Sequence, residues 1–218
     1  MPPSRLAIAI GFFLSDIIIR TSMRVAVFAS GGGSNFQAIV DAQKSGYAAI
    51  EVVLCVTNNA EAGVLQRAAR EGIASIVISS TSYSRAGEFS RELLNALDEC
   101  GIELIALAGY MKKIPVAIIQ KFPGRILNIH PALLPEFGGK GMYGHHVHEA
   151  VLRSGTDRTG ATVHVVDQGY DTGRIVLQRE IPVLPDDTPE TLAARVLVVE
   201  HQLYPDAINM VLLNEFSS

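Results

Sequence analysis

The feature that most constrains this chain is a glycine-rich turn, Ser30-Gly31-Gly32-Gly33-Ser34-Asn35, set between a short apolar run at residues 24–29 and a segment of helical spacing at 36–44. Such a junction aims backbone N–H groups and a helix N-terminus at one point, which favours an anion. The alternation then repeats. Residues 51–56 read as a second strand closed by Thr57-Asn58-Asn59, residues 62–71 as a helix ended by Gly72, and residues 75–79 as a short third strand. Residues 84–99 place Phe89, Leu93, Leu94 and Leu97 on one helical face, and residues 103–108 form a fully apolar fourth strand. Strands at 125–129, 161–166 and 175–182 follow, and residues 189–213 predict a closing helix with a kink or break at Pro205. Strands alternating with helices of that length specify an α/β fold, a Rossmann-like, mostly parallel sheet with helices on both faces. Ligands of such sheets bind beyond the carboxyl ends of the strands. Those ends are the glycine turn, residues 57–59, residues 109–113 and His130-Pro131.

The chain has 218 residues, 48% hydrophobic and 18% charged, enough apolar surface for one core. Residues 23–218 read as a single domain. Residues 6–19 are apolar and follow Arg5, but Asp16 interrupts them and they fall short of the ~20 residues a membrane-spanning helix needs. Residues 1–22 are therefore expected to be a disordered or upstream-start extension, and no membrane association is expected. Eighteen Lys+Arg against 22 Asp+Glu, without a basic stripe, argues against nucleic acid as a partner. Cys55 and Cys100 have no CxxC spacing, so neither a zinc site nor a disulfide framework is expected, in keeping with a cytoplasmic protein.

The glycine turn matches neither a dinucleotide fingerprint nor a Walker loop, because a third GxGxxG glycine would fall on Phe36 and no Gly-Lys-Ser/Thr occurs. A phosphate on a small substrate suits it better. At the end of the fifth strand, alternation puts Asn128 and His130 on one face and Ile129 on the other. A carboxamide that can donate to an oxyanion, beside an imidazole that can move a proton, suits acyl-type chemistry. A carboxylate to orient the imidazole could come from Asp167 or Asp171, and spacing does not choose between them. His145, His146 and His148 read as a solvated or helix-starting run, so no metal site is expected.

These residues carry a resemblance. Ser30 to Asn35 with Gln37-Ala38, Leu107-Ala-Gly-Tyr-Met111, Gly124-Arg-Ile-Leu-Asn-Ile-His-Pro-Ala-Leu-Leu-Pro135, Gly160-Ala-Thr-Val-His164 and Asp171-Thr-Gly173 closely resemble the phosphoribosylglycinamide formyltransferase family, in order and spacing across residues 23–213. The resemblance implies transfer of a formyl group from 10-formyltetrahydrofolate, a cosubstrate, to the amine of 5-phosphoribosylglycinamide in purine synthesis, with no permanently bound cofactor. It implies Asn128, His130 and Asp171 as the catalytic trio, with Asp171 favouring a charged His130. Gly33, Ser34 and Asn35 would hold the substrate phosphate and Glu200 the glycinamide end; Arg85, Met111, Lys112, Lys113, Ile114 and Asn128 would line the folate site. A cis Leu134–Pro135 peptide would also be in keeping. Lys112-Lys113 departs from the arginine and apolar residue that many members carry there.

Overall fold

The computed structural model describes residues 22–85 and 87–213; the expected N-terminal extension, Ser22 excepted, lies outside them. Seven strands form one sheet in the order β3-β2-β1-β4-β5-β6-β7. They are β1 Met23–Phe28, β2 Ile50–Thr57, β3 Ala74–Val77, β4 Leu104–Leu107, β5 Ile126–His130, β6 Arg158–Val165 and β7 Ile175–Pro182. The first five pair in parallel, while β6 and β7 join antiparallel at one edge. Burial follows position in the sheet: Leu104–Leu107 is buried along its whole length, as a strand covered on both faces must be, whereas β7 alternates along the edge.

Two apolar layers hold the sheet between helices. Val25, Val27, Ile39, Leu203 and Tyr204 belong to one layer, under α1 Ser34–Lys44 and α6 Pro189–Leu212. Ala26, Phe28, Leu93, Leu97 and Ile118 belong to the other, under α3 Glu88–Glu99 and α4 Val116–Lys121. The remaining helices are α2 Val64–Glu71 and α5 His145–Ser154. α4 does not stand out as a helix in the sequence, and α5 is signalled only by the helix-starting alternative for His145, His146 and His148.

Pro205 neither breaks nor ends α6, contrary to the expectation from its ring. Its neighbours explain why. Leu203, Tyr204, Ala207 and Ile208 are fully buried on both sides of it, and the Tyr204 hydroxyl lies 3.1 Å from Leu107 O and 3.0 Å from Leu127 O. Burial of that many apolar side chains outweighs the ~3 kcal/mol that a helix-interior proline costs. Tyr204 thereby ties α6 to the last residue of β4 and to Leu127 near the start of β5. The Leu134–Pro135 peptide is cis, as the resemblance implied.

Candidate active site

The glycine turn and the ends of β4 and β5 open onto two hollows. A pocket of about 280 Å³ lies over Ser30 to Asn35. A cleft of about 800 Å³ extends from it past Asn128, His130 and Asp171 to α5 and α6. Asn35, Gly109 and Met111 line both, so the hollows are continuous. Gly33 makes the turn possible: its φ of 74° favours glycine, and a Cβ there would lie 2.6 Å from Val64 Cγ2. With no side chain in the way, α2 closes against the turn.

The structure brings Asn128, His130 and Asp171 together. His130, 3% exposed, donates from Nε2 to Phe137 O at 2.8 Å, and its Nδ1 lies 3.7 Å from Asp171 Oδ2. That second distance is too long for a hydrogen bond, so Nδ1 is the nitrogen left to take a proton. Asp171 adopts a φ of 56°, uncommon for a residue with a side chain, and receives Gly139 N–H on Oδ2 at 3.0 Å. Gly173 lets the loop turn back: a Cβ there would lie 1.8 Å from Val165 O. Asp167, the alternative, spends Oδ1 within its own loop, accepting from Gly169 N and from Thr172 Oγ1, each at 2.8 Å. Of the two aspartates the geometry sets only Asp171 against the histidines.

Electrostatics corrects one expectation. Burial pushes His130 below the ordinary histidine value, and the nearby Asp171 charge only partly offsets it. The resting imidazole is therefore neutral at pH 7, not the imidazolium that the Asp171 charge alone would favour. Burial would raise Asp171, but the adjacent His164 and the Gly139 N–H outweigh it and hold the carboxyl below its usual range. Asp171 is thus ionised and ready to stabilise a charge that forms on His130.

Glu200 is 8% exposed and accepts from Asn35 Nδ2 at 2.6 Å, while Asn35 Oδ1 is buried without a partner. Burial pushes the Glu200 carboxyl up to about 7. Asn35 therefore links the glycine turn to a carboxyl near neutrality.

Comparison with known proteins now decides the family, because a formyl transferase family model matches residues 23–208. The chain belongs to the formyl transferase family. Within it, the chain is 47% identical over 189 residues to the chloroplastic phosphoribosylglycinamide formyltransferase of Arabidopsis thaliana, covering 86% of this chain and 65% of that one. To the Vigna unguiculata protein of the same name it is 48% identical over 185 residues, covering 85% and 59%. The chain thus spans less than two thirds of the length of these plant relatives. Its structure is similar to glycinamide ribonucleotide transformylase 1 of Geobacillus kaustophilus, with a TM-score of 0.81, 44% identity, and coverage of 88% of this chain and 99% of that one.

Other residues depart from what resemblance to the formyl transferases implied. Arg85 does not line the cleft; its side chain is 86% exposed and lies 3.9 Å from Glu88. Met111, Lys112, Lys113 and Ile114 do line it, with Ile114 buried and the others exposed. The histidine run does not converge: His145 and His146 face Glu149 at 3.4 and 3.7 Å, while His148 turns inward, buried. Among the described residues no cluster of His, Cys, Asp or Glu is arranged to hold a metal. His164 was overlooked as a site residue. Its Nδ1 donates to Val165 O at 3.0 Å, which leaves Nε2 to accept from Asn128 Nδ2 at 3.0 Å, and Nε2 lies 3.4 Å from Asp171 Oδ1. Alternation along β6 against Asn128 and His130 was the available signal, since His164 pairs opposite Asn128.

Proposed function

We propose that this chain transfers the formyl group of 10-formyltetrahydrofolate to the free amine of 5-phosphoribosylglycinamide. The observation that carries the reading is a glycine turn suited to a phosphate, continuous with a cleft that holds Asn128, His130 and Asp171 together. Relatives that bear the name of this reaction support it. The partners are then two small molecules, and side chains with the cosubstrate carry the chemistry without a resident metal or redox group. A cytoplasmic location belongs to the same reading, supported by two free cysteines; among the described residues no helix is long and apolar enough to cross a membrane.

In this reading Gly33, Ser34 and Asn35 hold the phosphate, and Glu200 with Asn35 takes the glycinamide end. The neutral amine attacks the formyl carbon, a C–N bond forms, and the carbonyl electron pair moves to oxygen. The Asn128 amide has one N–H engaged by His164 and a second to donate to that oxyanion. The new ammonium centre loses its proton to His130 Nδ1, and the ionised Asp171 stabilises the imidazolium as it forms. Collapse breaks the bond to the folate nitrogen, which takes the proton back. Charge is thus created and discharged between two groups that are neutral and anionic at rest.

The test is incubation with both small molecules while absorbance reports deformylated folate. Its appearance only when the ribonucleotide is present supports the reading; appearance at the same rate without it indicates hydrolysis and contradicts it.

A further inference from the structure

Lys113 belongs to the segment after β4 and Tyr170 to the loop between β6 and β7, yet both line the same cleft and they meet across it. Lys113 Nζ lies 4.9 Å from the centre of the Tyr170 ring, within cation–π range. The ring face is thus an electrostatic partner of the Lys113 ammonium. Tyr170 remains 46% exposed, held in place by a loop that Asp167 folds through Gly169 and Thr172. The next residue is Asp171, which faces His130 and His164. The contact therefore joins the wall carrying Met111 to Ile114 to the loop that carries the carboxylate.

We infer that Lys113 and Tyr170 are a pair of positioning residues that strap these two walls together and thereby set affinity for the folate cosubstrate. The inference rests on the function proposed above and adds to it a contact that neither residue could make alone. Its strength depends on solvent. In the open cleft water competes for the ammonium; a ligand bound beside the pair excludes that water and strengthens the contact, so it favours the loaded state over the empty one. The phosphate pocket lies at the other end, over the glycine turn, and includes neither residue.

A double-mutant cycle on the full chain tests this, with steady-state kinetics in 10-formyltetrahydrofolate and in the ribonucleotide. Lys113→Met and Tyr170→Leu should each raise the cosubstrate KM about 3- to 10-fold, while kcat and the ribonucleotide KM change less than about 2-fold. The double variant should resemble either single one rather than their product. Lys113→Arg and Tyr170→Phe, which keep a cation and a ring face, should restore the coupling. Multiplicative single effects, a fall in the cosubstrate KM, or equal changes in both KM values would overturn the strap. A parent chain without formyl transfer would instead defeat the proposed function, so the two failures are distinct.

Discussion

Asp171 bends into a φ of 56° to place its carboxylate between two imidazoles, and strain of that kind marks a position held by its surroundings for a purpose. Asp171→Asn keeps the size and removes the charge. Turnover near neutrality should fall at least ~10²-fold, and the His130 titration, read by NMR, should move still lower. Asp167→Asn should be much milder; the reverse ranking would assign the chemistry to Asp167. Glu200 gives a stability prediction with a definite sign. Its folded carboxyl titrates at about 7 against an ordinary value of 4.5, so between those values the folded chain binds more protons than the unfolded one. Its contribution is favourable below pH 4.5 and is lost as pH rises through 7. His148, pushed down to about 4 by burial, adds the opposite slope between about 4 and 6.5, so the parent profile alone is a blend. The difference between Glu200→Gln and the parent isolates Glu200: from pH 5 to pH 8 the variant should gain on the order of 3 kcal/mol in urea unfolding relative to the parent. A constant difference would show that Glu200 is not buried as described.

Among the elements, the glycine turn and α1 form a unit whose geometry depends on a missing side chain. Gly33→Ala must place a Cβ against Val64 at a φ unsuited to alanine, which should cost about 2 kcal/mol or more and raise the ribonucleotide KM more than the cosubstrate KM. Equal effects on both would make the turn merely structural. This unit was legible in the sequence because glycine, β-branched runs and helical spacing are local signals. The strand at 175–182 was legible within its observed bounds for the same reason. Six-residue α4, opened by Pro115, is too short to show a period, and α5 begins with a histidine run that carries no apolar stripe. Pro205 misled because its local effect is overridden by packing around Tyr204, a contact 97 residues away from Leu107 in sequence. His164 escaped because its role exists only through pairing with β5, and Arg85 was carried over by resemblance onto a position that faces solvent.

At the scale of the whole molecule, one sheet collects residues from Asn35 to Glu200 around a single cleft, which only the complete seven-strand order achieves. The parallel order could be read from alternation, whereas the cleft's charge state could not. Whether His130 rests neutral is decided by how much apolar mass covers it, and that is a property of the folded whole. Since among the described residues the first strand starts at Met23 and the cleft lies beyond it, a chain started at Met23 should keep its thermal midpoint within a few degrees and keep formyl transfer. A large loss of either would make residues 1–22 part of the working molecule. The most direct measurement follows the formyl carbon itself: 10-formyltetrahydrofolate labelled with ¹³C at that carbon, incubated with the ribonucleotide and the chain, then read by mass spectrometry. One labelled formyl group should appear on the ribonucleotide for each tetrahydrofolate released, and label recovered instead as free formate would contradict the account.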